Sequence, residues 1–292
     1  MIDLHIHSNN SDGYYSVKEI LKMAEEKKIN TISFCDHNVL GAYEELKDID
    51  ISKYYKGKII TGIEFDFVYD KKDFHMLGYN FDVDKLKDSK YINRKTEEEL
   101  IKIEEQHLDF FKSVCKKLSI KLSPNLKIEK SSEPANDIIK NDMQKYKEND
   151  TILNDILGMD RKKSFWLGSV TKPESPFYID LTKGLPTAIE IADEIHRAGG
   201  MVVLPHTFEY KSIDNIQFLN DMYDLNILDG IECVHSKHNL EQVNYLMNFC
   251  QEHDLLMSGG SDFHTDKKQN LGYTDLGEIT DNFCLHRLIT SF

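Results

Sequence analysis

The chain opens with MIDLHIHSNNSDG, residues 1–13, and from Ile2 to His7 apolar and polar residues alternate. Side chains of an extended chain point to opposite faces in turn, so Ile2, Leu4 and Ile6 share one face and Asp3, His5 and His7 the other. Two imidazoles on one strand face stand roughly 7 Å apart at Cα, close enough for both to reach one metal ion. Taken alone, the pair also fits a polar strand face that binds nothing. The rest of the chain decides between these readings.

Moving outward, the same grammar recurs. Ser16 and Glu19 form a capping box ahead of a helix whose inner face is Val17, Ile20, Leu21 and Ala24. A strand from Thr31 to Cys35 delivers Asp36-His37, a strand from Lys58 to Phe67 carries Glu64, and one from Phe74 to Phe81 begins with His75. Late in the chain, Thr187 and Glu190 form a second capping box before Ala188, Ile191, Ala192 and Ile195 at helical spacing. Gly199-Gly200 ends that helix, and Met201 to His206 reads as a buried strand. A helix from Asn215 to Tyr223, a strand from Gly230 to Val234 and a helix buried through Val243, Leu246, Met247 and Cys250 follow. A last strand, Leu255 to Ser258, leads into Gly259-Gly260-Ser261-Asp262-Phe263-His264. Strands alternating with helices predict a parallel sheet, and this many units predict an α/β barrel.

Between these halves the chain is Lys/Glu-rich and helical in pattern, with Phe110, Phe111, Val114 and Leu118 marking one amphipathic helix. The organisation expected is a barrel from residues 1–92 and 186–292, with residues 93–185 inserted as a helical cap. Lys112, Lys116, Lys117, Lys121, Lys127 and Lys130 read chiefly as the solvated face of helical structure, and secondarily as a strip that could guide an RNA strand.

Bulk properties narrow the function. A chain of 292 residues is long enough for a large core. Its net charge of −14, from 36 basic and 50 acidic residues, makes it a poor general binder of nucleic-acid backbone. Residues 93–185 are near charge balance, so the acidic excess belongs to the barrel halves, where divalent cations would offset it. Five cysteines without a C-x-x-C spacing, no apolar run of membrane length and no visible secretory signal predict a cytoplasmic protein with no membrane partner. No obligatory protein partner is evident.

His5, His7, His37, Glu64, His206, Asp262 and His264 fall at the ends of expected strands, with His75 at the start of one and Asp12 in the first loop. Barrels gather reactive groups at one mouth from the ends of several strands. These residue types, with no thiolate, suit divalent metals.

The motifs His5-x-His7, Asp12-Gly13, Asp36-His37, Gly62-x-Glu64, His75-x-Leu77-Gly78, His206 and Gly260-Ser261-Asp262-x-His264 resemble the PHP (polymerase and histidinol phosphatase) superfamily, in order and across both halves. Asp36-His37-Asn38-x-x-x-Gly and Ala198-Gly199-Gly200 are similar to its nucleotide phosphatase and exoribonuclease branch. The resemblance implies a distorted seven-stranded (β/α) barrel holding two or three divalent ions of Mn, Fe or Zn. His5, His7 and Asp262 would hold the first ion, His75 and His206 the second, with Glu64 bridging these, and Asp12, His37 and His264 the third. Asp262, Glu64 and His206 would serve catalysis directly, and Asp36 would orient a ligand imidazole.

Such ions supply the nucleophile, a bridging hydroxide, without any Ser-His-Asp or Cys-His pair. Counting three ligand carboxylates and one hydroxide, two divalent ions leave the site neutral. Three leave it at about +2, which suits a phosphate monoester of between one and two negative charges. The expected substrate is a small phosphorylated metabolite, most plausibly a nucleotide such as 5′-AMP or a 3′,5′-bisphosphate. The alternatives are a 5′-to-3′ exonuclease on short RNA or DNA, a histidinol phosphatase, and a non-catalytic metal-binding module. His238, just before a helix, is a candidate substrate contact in preference to His235. Lys183, Lys172 and Arg161 are the cap's candidates for gripping phosphate. Glu232 either faces the mouth or caps a loop.

Overall fold

Strand β1 (Ile2–Ile6) runs through α1 (Val17–Glu26) to β2 (Thr31–Phe34), α2 (Gly41–Asp48) and β3 (Lys58–Tyr69), followed by β4 (Lys72–Tyr79) and the single turn α3 (Val83–Leu86). Next come α4 (Glu97–Lys117), α5 (Ala135–Met143) and α6 (Asp150–Asp155). The chain resumes with α7 (Ala188–Arg197), β5 (Met201–Leu204), α8 (Asn215–Asp224), β6 (Gly230–His235), α9 (Leu240–Glu252) and β7 (Leu256–Gly260). A short hairpin, β8 (Tyr273–Thr274) and β9 (Gly277–Glu278), follows. The computed structural model describes residues 1–92, 97–129, 133–155, 165–180, 182–211, 213–267 and 269–280. It divides into two compact units, residues 1–93 with 184–292, and residues 94–183.

In the first unit the seven strands form one sheet in the order β1 to β7. The sheet nearly closes into a barrel: Ile6 bridges to Phe263 in parallel, and the His7 N–H donates to the Phe263 carbonyl at 2.9 Å. Both expected capping boxes form, and the helical faces Val17-Ile20-Leu21-Ala24 and Ala188-Ile191-Ala192-Ile195 are buried as their spacing predicts. In α9 the inner face uses Phe249 in place of Met247, which is only half-buried.

The sheet is not wholly parallel. β4 runs antiparallel to both β3 and β5, because the two residues joining β3 to β4, Asp70 and Lys71, both take positive φ (45° and 59°) and close a tight hairpin. This reversal explains an oddity of the sequence. His75 sits near the start of its strand, whereas the other candidates sit near strand ends. On a reversed strand the start lies at the same mouth, and His75 pairs across the ladder with Asp66.

All of β1 is buried, polar face included. Asp3, His5 and His7 therefore point into the barrel, not to water. The Asp3 carboxylate ties the barrel shut, accepting from Ser261 N at 2.9 Å, Ser261 Oγ and Gly272 N at 2.7 Å. Burial still pushes its carboxyl up to about 6, against these donors.

The second unit has its own core, with Leu108, Phe111, Val114 and Cys115 from α4 packed with Ile139, Met143, Phe165 and Phe177. Phe110, expected on that inner face, is 39 % exposed, and Cys115 takes the place at the correct helical offset. Lys112, Lys121 and Lys127 pair with Asp109, Glu148 and Glu129, as a solvated helical unit does. Lys130 lies outside the described residues.

Candidate metal centre

The nine residues read as metal-binding lie on, or in the loops following, every strand of the barrel except β6, and meet at one mouth. Glu64 is at their middle, 1 % exposed. Its Oε2 lies 3.2 Å from both His5 Nε2 and His7 Nε2 and 3.4 Å from His37 Nε2. Its Oε1 lies 2.9 Å from His206 Nε2 and 3.1 Å from His75 Nδ1. One carboxylate thus faces two different imidazole sets with two different oxygens, the arrangement a bridging ligand requires. Asp262 Oδ1 stands 3.2 Å from His7 Nε2 and 3.7 Å from His5 Nε2. Asp12 faces His7 Nδ1 with Oδ1 at 3.6 Å and His264 Nε2 with Oδ2 at 3.0 Å.

Donor atoms within 4.8 Å of one another include the groups His5-His7-Glu64-Asp262, Glu64-His75-His206 and His7-Asp12-His37-His264, with His37-Asp66-His75 joining the last two. The first three groups coincide with the three sets implied by the sequence resemblance, except that His7 adjoins the third as well as the first. A further observation tests whether such residues fit metal ions. Both ring nitrogens of His7, Nδ1 of His75 and Nδ1 of His206 are buried with no hydrogen-bond partner. Orphaned buried nitrogens are costly, and two of these, His7 Nε2 and His75 Nδ1, face different oxygens of Glu64, an arrangement that divalent cations would satisfy. The residues fit the group.

Electrostatics agree. Burial would raise the Glu64 carboxyl, but the charges of His5, His37 and His75 hold it well below the usual range. Burial opposes a charge on His5 and His75, yet Glu64 lifts both, His75 to about 9. For His206 burial wins, and its imidazole titrates below the ordinary value. The backbone is strained at two of these positions: His206 and Asp262 adopt positive φ of 28° and 55°, a cost that persists where surrounding structure enforces it. Gly13 is needed here, since a Cβ on it would stand 2.2 Å from the His7 carbonyl oxygen. At Gly260 a Cβ would meet the His5 side chain at 2.2 Å.

Three residues outside the expected ligand set enter the site. Glu232 resolves toward the mouth: fully buried, it accepts from His5 Nδ1 at 3.0 Å and from the His206 N–H at 2.9 Å. That fixes the His5 ring with Nε2 facing inward. Asp66 does the same for His37, lying 3.2 Å from its Nδ1, and is itself held by Asn38 Nδ2 at 2.6 Å. Its signal was present, because Asp66 follows Glu64 by two on one strand and so shares its face. His235 is fully buried at the end of β6; Lys237 N–H donates to its Nδ1, and Nε2 stands 3.6 Å from Asp262 Oδ2. With Glu209 and Asp262 it makes another cluster of donor atoms. Glu232 and Asp66 also change the charge count. Two more carboxylates against the ligands remove the surplus that three ions would otherwise leave.

Other expected residues go elsewhere. The Asp36 carboxylate touches no imidazole in its hydrogen bonds. It accepts from Ser8 N and Oγ and from Ser11 Oγ, each at 2.7 Å, and so braces the loop that carries Asp12. His238 is corrected too: Nδ1 donates to the Cys233 carbonyl at 3.1 Å and Nε2 accepts from Phe208 N at 3.5 Å. Both nitrogens are used by the backbone, and burial pushes its imidazole down to about 4. It is a neutral peg behind the site. Lys172 and Lys183 are exposed residues of the second unit, and Arg161 lies outside the described residues.

Comparison with known proteins places this geometry. Residues 3–162 match the PHP domain family. The chain is 25 % identical over 295 residues to a 5′-3′ exoribonuclease of Haemophilus influenzae, covering 96 % of this chain and 94 % of the relative. It is 26 % identical to a 5′-3′ exoribonuclease of Salmonella typhimurium over 81 residues, 28 % of each chain. Among solved structures it is similar to a protein of Bifidobacterium adolescentis described as a metal-dependent phosphoesterase, with a TM-score of 0.63, 21 % identity and coverage of 96 % and 93 %. A Chromobacterium violaceum amidohydrolase with bound sulfate gives a TM-score of 0.62 at 19 % identity, covering 94 % and 90 %. These likenesses at low identity establish the barrel.

Proposed function

We propose that this chain, which belongs to the PHP domain family, is a metal-dependent phosphoesterase that hydrolyses phosphate esters of nucleotides at the barrel mouth. The observation that carries this reading is Glu64, whose two oxygens serve two separate imidazole sets. His5, His7 and Asp262 would hold one ion, His75 and His206 a second, and Asp12, His37 and His264 a third. When bound, such ions supply a nucleophile at neutral pH and neutralise charge on the attacking and leaving oxygens.

The chain's own residues do the positioning. Glu232 and Asp66 hold His5 and His37 in fixed tautomers, and the Asp262 carbonyl accepts a hydrogen bond from His264 Nδ1 at 2.9 Å. Each of these imidazoles therefore presents Nε2 to the centre. Burial of His5, His7, Glu64 and Glu232 strengthens the charge interactions among them.

A second reading is a 5′-to-3′ exonuclease acting on short RNA, favoured by the similarity to the Haemophilus influenzae exoribonuclease along nearly the whole of both chains. One panel separates the two. Protein loaded with Mn, Fe or Zn is offered 5′-AMP, a 3′,5′-bisphosphate, histidinol phosphate and short RNA with a 5′-phosphate. Release of inorganic phosphate from mononucleotides supports the first reading. Release of mononucleotides from RNA alone, slowing as salt rises, supports the second. Turnover of none of them under any metal overturns both.

A further inference from the structure

Tyr14 has a fixed backbone and an exposed side chain. It is 74 % exposed, the highest figure for a large apolar residue among those described. Its N–H donates to the His264 carbonyl at 2.8 Å, and Gly13 before it is pressed against the His7 carbonyl. Its ring stands edge-on to Tyr15 at 5.0 Å and 83°, and Tyr15 stacks on Phe263 at 5.9 Å and 11°. A single exposed aromatic needs no explanation by itself. This one is anchored through its backbone to one proposed ion ligand, His264, and lies two residues from another, Asp12.

A second observation comes from the space beside it. Asp12 and His264 border a cavity of about 710 Å³ whose wall also carries Lys237, Lys267, Gln269 and Asn270. That volume exceeds what a phosphate group needs and falls in the range of pockets for whole small molecules. Its lining of ammonium groups, amides and the carboxylates of Asp266 and Asp275 offers both donors and acceptors, which suits a polar, hydrogen-bonding body such as a sugar. Tyr273 is the aromatic on that wall. Tyr14 stands outside it, next to the lining residues Asp12 and His264, where a planar ring leaving the cavity on that side would find an exposed aromatic face.

We propose that Tyr14 is the platform on which the substrate's nucleobase stacks, with the sugar directed into the Lys237–Lys267 cavity. This rests on the phosphoesterase reading and adds the requirement for a base. Stacking on an aromatic ring tolerates any base, since each has a flat π-face. Tyr14 therefore selects for the presence of a base and not for its identity.

The test compares kcat/KM for 5′-AMP and for ribose 5-phosphate in metal-loaded wild type, Tyr14→Ala and Tyr14→Phe. The ratio between the two substrates is expected to fall roughly 5- to 150-fold in Tyr14→Ala, the range for losing one stacked base. Most of the change should appear in KM, and Tyr14→Phe should restore the ratio. An unchanged ratio overturns the platform, as does a parallel loss on both substrates, which would mean that Tyr14 only props its loop. Should the wild type hydrolyse neither compound, the phosphoesterase reading on these substrates fails separately. Titration calorimetry of 5′-AMP and ribose 5-phosphate binding to the same three proteins then decides the platform by the same ratio.

Discussion

In residues 94–183, Asp142 is 1 % exposed and accepts from Ser123 N and Oγ at 2.7 Å and Lys145 Nζ at 2.8 Å. Asn149, equally buried, takes the Lys121 N–H and donates to the carbonyls of Lys121 and Met143. At the barrel mouth His7 is fully buried as well, yet neither of its nitrogens has a hydrogen-bond partner. Both regions bury polar atoms. The helical unit closes its accounts internally, with only the Ser169 hydroxyl left over among its described residues. The mouth leaves several imidazole nitrogens without partners, two of them facing a shared carboxylate. Buried polarity with partners holds a fold together, and buried polarity without them reserves a place for something else.

The hardest test of that contrast removes its centre. Glu64→Gln keeps the shape but halves the acceptor capacity facing five imidazoles. Phosphoester turnover should fall about 10³-fold or more, the scale on which one charge-stabilising group acts in an active site. Steady-state assays with metal analysis read this, and turnover within tenfold of wild type would break the contrast.

A milder test uses pH. In the ion-free protein His5 and His75 are held above the ordinary imidazole value by Glu64, His75 at about 9, so both carry protons at pH 7. An arriving cation must displace them. Metal affinity should rise about tenfold per pH unit for each proton released, and calorimetry in buffers of different ionisation heat counts those protons. The same shift sets a stability trend without metal. Charged His75 contributes fully below its ordinary value near 6.5, and that contribution is lost as pH rises through about 9. A flat affinity profile from pH 6 to 8 would contradict both statements.

The smallest effect belongs to the helical unit. Asp142→Asn should cost about 1–3 kcal/mol of stability through its stranded donors, seen in denaturant melts, and leave turnover at the mouth unchanged.

Much of this was legible in the sequence because two periodicities carry it. Alternation in Ile2–His7 and the strand-end positions of His37, His206 and Asp262 exposed the ligand set, and capping boxes at Ser16 and Thr187 marked where helices begin. The β3–β4 hairpin was illegible, since its turn is Asp70-Lys71, without the Gly or Asn that usually announces two positive φ angles. Asp66 escaped notice despite sharing a strand face with Glu64. His238 misled because a histidine beside a mouth and a histidine pegging the backbone look alike until partners are known. Asp36 was read as a ligand's support when its acceptors serve two serines.

The antiparallel strand has a consequence for how the site is assembled. Glu64, Asp66 and His75 lie on one hairpin closed by two residues, so bringing them together costs little chain entropy. His5 meets Asp262 only once nearly the entire chain has been laid out. On a growing polypeptide the hairpin's half of the centre can form long before the final strand exists. The site would be completed in order, with β7 closing against β1 as the last clasp.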